Sequence, residues 1–361
     1  MIRNALGAGI VLQWVVASFA AGSGPITITK GGTYSGTWES DDAAVPAVRV
    51  ATREPVVIEN ATIRSRGHLI EAPGEADLTV RNAVGVGLNP NDPGRYVGRF
   101  LWARHFRRVV IENCTLDHTA GIYLYGYKGD HSPGQTFKIL RNRSRNIDGR
   151  YSDGKGGYQE KAYLVQFFQT HELHDLGGGE VAWNETINEP GKSAVEDNIN
   201  IFDTTGTAAS PVEIHDNYVQ GAYPANPLAT GYSGGGILLS DYGSAYIVAH
   251  DNQVVSTTNY GIAISSGHDN LIYNNRVVSS GRLPDGRPIP AQNVGIYIWN
   301  MKTKGTTGND AFARNGGHGN VVGWAKGEAM NHWWTPDAEA GLWKDNQMMA
   351  GPITAETEAG E

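Results

Sequence analysis

Three segments between residues 212 and 278 decide the fold: VEIHDNYV around Asn217, YIVAHDNQVV around Asn252 and LIYNNRVV around Asn275. Each is a short apolar run that meets an asparagine and then resumes. Working outward, the same shape recurs in VVIENATI with Asn60, LTVRNAVG with Asn82, VVIENCTL with Asn113, FKILRNRS with Asn142 and GEVAWNETI with Asn184. Neighbouring asparagines stand 22 to 42 residues apart. A fixed minimum with longer intervals is the signature of a coil of constant circumference carrying variable loops. Self-similarity of this kind marks a solenoid, whose repeats bury their apolar faces only by stacking on one another.

A second series is interleaved with the first: GIYLY at 121–125, YLVQF at 163–167, NINIF at 198–202, GILLS at 236–240, GIAIS at 261–265 and GIYIW at 295–299. Ile122 and Leu124 alternate with Tyr123 and Tyr125, a period of two that belongs to strands with one face in and one out. The runs are short and bounded by Gly, Asn, Asp and Ser, which suit turns. No amphipathic helical window appears among them, which argues against helical solenoids. An asparagine at a fixed turn position accepts a left-handed backbone and hydrogen-bonds along a stack. The pattern predicts an all-β, single-stranded parallel β-helix of about 9–11 coils, with a many-stranded sandwich as the alternative.

Across roughly residues 45–325, the alternation of asparagine turns and G-I-x-I segments resembles the right-handed parallel β-helix superfamily. That superfamily includes pectate lyases, other polysaccharide lyases, polysaccharide epimerases, polygalacturonase-like hydrolases and phage tailspikes. The resemblance implies a right-handed coil. It is closest to the polysaccharide lyases, alginate lyases among them, although the repeat encodes coils rather than a reaction.

Composition agrees. A chain of 361 residues with 47 glycines suits one long, turn-rich solenoid. Its one cysteine, Cys114, excludes an internal disulfide and reads as a small buried hydrophobe. Residues 1–21 hold Arg3, an apolar stretch and then small residues, the pattern of a secretory signal peptide. This predicts a secreted or periplasmic bacterial protein with no membrane span. Residues 22–44 should form an N-terminal cap coil, 45–300 the helix proper, and 301–350 a C-terminal cap rich in tryptophan (Trp324, Trp333, Trp334, Trp343). A β-helix must cover its last coil or expose unpaired edges. The acidic tail, 351–361, is expected to be disordered.

The formal charge is −8, yet residues 95–161 carry 13 Lys or Arg against 6 Asp or Glu. A basic band on an acidic protein concentrates an anionic ligand locally. An anionic polysaccharide is the expected partner, with no nucleic acid, and the protein is expected to be a monomer.

In the resembled family, substrate lies across the face that contains the G-I-x-I series. This implies that Tyr123, Tyr125, Gln166, Asn198 and Asn200 point outward, one coil or about 4.8 Å apart. The register of YLVQF stays open, since Leu164 and Gln166 alternatively face inward. Tyr297 and Trp299 supply rings for sugar stacking, while Arg143 in the basic band and His131 and His171 on loops border the groove.

β-Elimination from a uronate needs its carboxylate neutralised, a base for the C5 proton and an acid for the departing O4. The expected base is Lys192, on a Pro-Gly turn, with Tyr158 as proton donor and Lys161 or Arg150 holding the carboxylate. The plain alternatives are a solvated loop lysine and a packing tyrosine. No cofactor is expected; Ca²⁺ on Glu196 and Asp197 beside Asn198 is the alternative. Asp117-His118 and Gly317-His318-Gly319 are similar to fragments of pectate lyase and polygalacturonase motifs but lack the accompanying carboxylates, and the Asp-Pro-His-Asp signature of β-helix epimerases is absent.

The resulting expectation is an exported lyase acting on an acidic polyuronate, alginate first and pectin-like polymers next. The alternatives are a hydrolase or C5-epimerase in the same groove, or a non-catalytic glycan-binding protein of tailspike type.

Overall fold

The computed structural model describes residues 23–301 and 312–361. The predicted signal peptide lies outside the described residues. Three parallel sheets wind into a right-handed parallel β-helix of eleven coils among the described residues. The first sheet runs from Ile26–Ile28 to Trp333–Trp334, the second from Gly32–Tyr34 to Trp343–Lys344, and the third begins at Thr37–Ser40. The coils therefore start inside the expected cap and continue past residue 300, with the tryptophan-rich region forming the last coil.

Alternation sets the core. Leu101, Ile122, Phe168, Ile199, Ile237, Ile262 and Ile296 stack in register along the inner face of the first sheet, all buried. Each such side chain contributes about 1.5–3 kcal/mol of burial. Their outward neighbours form a second row, Trp102, Tyr123, Gln169, Asn200, Leu238, Ala263 and Tyr297.

The eight asparagines all fall at the turn between the second and third sheets, but in two adjacent positions. Asn60, Asn82 and Asn113 are themselves left-handed, with φ of 51°, 53° and 52°. From the next coil onward the left-handed residue is the one before, such as Arg141, Trp183 or Asp216. The asparagine then turns inward. The side-chain amide of Asn142 donates to Asn184 at 2.9 Å, Asn184 to Asn217 at 2.9 Å, and Asn217 to Asn252 at 2.9 Å. The ladder continues through Asn275 and Asn320 to Asn346. In an early coil Cys114 holds the ladder place, and its backbone N–H donates to Asn142.

One insertion matters for the site. A hairpin pairs Arg150–Ser152 with Tyr158–Ala162 and leads the chain to Tyr163 and Leu164 at the edge of the first sheet. The expected strand YLVQF is not in the sheet; Phe168–His171 takes that rung, pairing with Tyr123 and its neighbours. Gly121 permits this approach. Its φ is +74°, and a Cβ there would sit 2.0 Å from the Gln166 carbonyl oxygen. The acidic tail, expected to be disordered, forms a short helix, Ala355–Ala359, and Glu361 pairs with Arg276.

Candidate active site

The outer face of the first sheet holds an open groove of about 640 Å³. Its two halves differ in chemistry. One half is cationic and aromatic. Arg99 is almost fully buried, with its guanidinium 4.9 Å from the centre of the Tyr123 ring and donating to the Ala120 carbonyl. Arg104 lies 5.3 Å from the Tyr125 ring. Tyr96 and the exposed Tyr163 stack at 4.8 Å to form a wall.

At the centre, the Tyr123 hydroxyl lies 2.9 Å from Nδ1 of His171. Tyr125 donates to Glu172 at 2.7 Å, and the other oxygen of Glu172 lies 3.6 Å from Nε2 of His171. Burial pushes the Tyr123 phenol up to about 12, and the Arg99 cation opposes that rise. His68, beside Arg99, is pulled down to about 4 by burial and then by that cation. Its Nδ1 accepts the backbone N–H of Arg99, which needs the neutral ring.

The other half is acidic. Glu196 and Asp241 line it together with Gln166 and Asn200. Burial, reinforced by the neighbouring charges of Asp197 and Asp241, raises Glu196 well above the ordinary carboxyl range. Burial also raises Asp241. Asp197 is turned away from the groove, accepting from the Gly235 N–H, the Tyr260 hydroxyl and the Asn200 amide.

Tyr123, Tyr125, His171, Asn200 and Gln166 all line this groove, though Gln166 reaches it from the segment before the strand and Gln169 holds the outward place beside Tyr123. Tyr297 stands further along the outward row against Tyr260, and Trp299 packs on Trp334 beyond it.

Other expected residues lie elsewhere. Asn198 is inside the coil, accepting from Asn188 at 2.8 Å and donating to Gly221, because it lies at the turn just before the strand Ile199–Phe202, where the in-out alternation has not yet begun. Lys192 is exposed and pairs with Glu189 at 2.7 Å, outside the groove. Tyr158 packs on the Arg150 guanidinium at 4.7 Å and on His118, at the turn from the third sheet. Arg150 is spent on the fully buried Asp148 and on the Gly191 carbonyl. Lys161 lies over Tyr151 at 5.3 Å. His131 packs near Tyr127. Arg143 borders a separate surface hollow with Arg141 and Trp183.

The basic band separates for the same reason. A run of 67 residues winds more than two coils, so Arg108 and Lys138 emerge on the second sheet, where they pair with Asp77 and Glu180. Only Arg99 and Arg104 of that band line the groove. Neither was legible as a site residue, although VGRFLWARHF at 97–106 shows the same strand alternation as the G-I-x-I series. Asp241 and Glu172 carried no local signal.

Glu196 accepts from Gln166, whereas Asp197 accepts from Gly235, Tyr260 and Asn200. Among the described residues, the metal-binding types whose ligand atoms do converge are His171, Glu172 and Asp203, all within 4.8 Å of one another. Their mixed nitrogen and oxygen donors fit a transition-metal ion better than Ca²⁺.

No protein-family model matches the chain, and no curated protein matches it. Among solved structures, that of the periplasmic alginate epimerase AlgG is similar at 11% identity, covering 89% of this chain and 79% of that one, with a TM-score of 0.39. A double mutant of the same epimerase is similar at 12% identity over the same shares, with a TM-score of 0.43.

Proposed function

We propose that the protein is a polysaccharide lyase that cleaves a uronate-containing chain by β-elimination in the first-sheet groove. The observation that carries this reading is the Tyr123 hydroxyl, hydrogen-bonded to His171 Nδ1 directly above the buried Arg99 cation. Abstraction of a C5 proton needs a base, and a tyrosine serves as one only after shedding its own proton. Tyr123 passes its proton to His171, and Glu172 stabilises the imidazolium that results. The Arg99 guanidinium stabilises the phenolate electrostatically, strongly so because both are desolvated.

Tyr123 then takes the C5 proton, the electron pair forms the C4–C5 double bond, and the C4–O4 bond breaks. Arg104 neutralises the C6 carboxylate, which makes the C5 proton acidic enough to leave. Glu196, held neutral by burial and by its acidic neighbours, supplies the proton that O4 takes on leaving. The roles expected of Lys192, Tyr158, Arg150 and Lys161 pass to Tyr123, His171, Arg104 and Glu196.

The predicted signal peptide supports export, and no helix among the described residues is long and apolar enough to cross a membrane. The test is ultraviolet absorbance of the unsaturated uronate during incubation with acidic polysaccharides. Absorbance that rises with wild type and not with Tyr123→Phe supports elimination. Exchange of C5 hydrogen with solvent but no absorbance would show a C5-epimerase, and new reducing ends without absorbance a hydrolase.

A further inference from the structure

The acidic half of the groove contains two buried acceptors that no described residue satisfies: Oε1 of Gln166 and Oδ1 of Asn200. Gln166 is 1% exposed and Asn200 3% exposed. Their amide orientations are tied from the other side. Nε2 of Gln166 donates to Glu196 at 2.8 Å, and Nδ2 of Asn200 donates to Asp197 at 3.0 Å. With the N–H groups committed to carboxylates, each amide presents its oxygen as the free end. A buried acceptor without a donor costs about 1–3 kcal/mol, so such pairs persist where a ligand supplies the donor.

We propose that this half of the groove is a subsite for an uncharged, hydroxyl-rich sugar, and hence that the substrate alternates uronate with neutral residues rather than being a homopolyuronate. The proposal rests on the elimination reading for its orientation: the uronate lies over Arg104 and Tyr123, and the sugar that departs with O4 lies over Asn200. Asn200 is two rungs from Tyr123 on the outward row, about 9.6 Å.

Charge decides the ligand class. The groove residues on this side are Gln166, Glu196, Asn200 and Asp241, with Phe202 stacked on Tyr242 at 5.1 Å, and no Lys or Arg lines it among the described residues. With the Glu196 proton committed to O4, a second carboxylate here would meet the Gln166 and Asn200 oxygens and the acidic Asp241, whereas sugar hydroxyls donate to all three. The ring of Phe202 gives the sugar an apolar face to lie on. A hard cation is the competing occupant of an oxygen-rich pocket. It is disfavoured because Asp197, the third acid, is committed to Tyr260, Gly235 and Asn200.

The test is affinity electrophoresis of the full-length Tyr123→Phe protein through gels containing either hyaluronan, which alternates glucuronate with an uncharged amino sugar, gellan, in which one uronate is set among neutral sugars, or alginate and polygalacturonate. Retardation should be at least about tenfold stronger in one of the mixed polymers, and Asn200→Leu should remove about tenfold of it, the worth of a lost buried hydrogen bond. Equal or stronger retardation by the homopolyuronates overturns the proposal. So does retardation by none of the four, or a mixed-polymer retardation that Asn200→Leu leaves intact or that appears only with added Ca²⁺. The elimination reading fails separately: a mixed polymer that binds as expected but yields no unsaturated product with the wild-type enzyme would leave the subsite standing and remove the lyase.

Discussion

The Tyr123 hydroxyl and Nδ1 of His171 meet at 2.9 Å although 48 residues separate them, because they stand on adjacent rungs of one sheet. The insertion between them contains the 150–162 hairpin, which lengthens the chain without lengthening the stack. A proton can pass across this contact while Arg99 stabilises the charge left behind.

Tyr123→Phe should lower turnover by about two to four orders of magnitude, the usual range for losing a general base, with KM nearly unchanged. His171→Gln should do the same. Steady-state kinetics on the best substrate measures both. Activity should survive exhaustive chelation; loss that a divalent transition metal restores would mean that His171, Glu172 and Asp203 hold an ion and that His171 is not free to take the proton.

Arg104 and Arg143 are both cations of the basic segment, but only Arg104 faces the groove. Arg104→Ala should raise KM for an anionic polymer about tenfold and flatten its dependence on ionic strength. Arg143→Ala should leave both as they were. Equal effects would show that substrate is held by the general field of the segment instead of by the groove.

Lys192 is a surface lysine in an exposed pair with Glu189. Lys192→Ala should leave turnover intact and change stability by less than about 1 kcal/mol. Arg150→Ala is the contrasting case, since it removes the guanidinium from the fully buried Asp148 carboxylate and leaves it His118 and the backbone N–H of residue 150. Denaturant titration should show a loss of about 3 kcal/mol, the cost of breaking a buried pair from one side.

Glu196 has a raised folded-state pKa, so between the ordinary glutamate value and that raised value the folded protein binds the extra proton and the unfolded chain does not. Stability contributed by this group is therefore present at low pH and lost as pH rises through the folded value. Thermal melts from pH 5 to pH 9 should show Glu196→Gln gaining on the wild type as pH increases, by roughly 1–3 kcal/mol at the alkaline end. A constant difference across that range would place Glu196 in water.

Asn217 lies in the buried ladder, bonded to Asn252 and to the Val181 carbonyl, whereas Asn113 serves only as a left-handed turn residue. Asn217→Ala should cost at least about 3 kcal/mol, since it strands several buried partners. Asn113→Ala should cost no more than about 1–2 kcal/mol, the left-handed penalty that asparagine lessens through its short polar side chain and alanine does not. Comparable losses at the two sites would contradict the division of the asparagines into turn and ladder positions.

The coil was legible in the sequence because its causes are local. Alternation such as Ile122-Tyr123-Leu124-Tyr125 is a property of consecutive residues, and an asparagine beside an apolar run names a turn whatever surrounds it. The face on which Tyr123, Tyr125 and Asn200 line the groove followed from the superfamily resemblance and not from alternation, and His171, expected on a bordering loop, stands in the strand Phe168–His171. Three things were decided only by the tertiary structure. Phe168–His171 displaced YLVQF because Gly121 lets the preceding segment cross close to the sheet, a contact between residues 45 positions apart. Of the thirteen cations in the basic segment, Arg99 and Arg104 alone face the groove, since winding around three sheets scatters a linear run over every side of the coil. Glu196 faces the groove while Asp197 turns to Tyr260, a partition set by a partner 63 residues away. The rung spacing is constant whereas the loops between rungs are not, so distance along this chain carries no measure of distance across the groove.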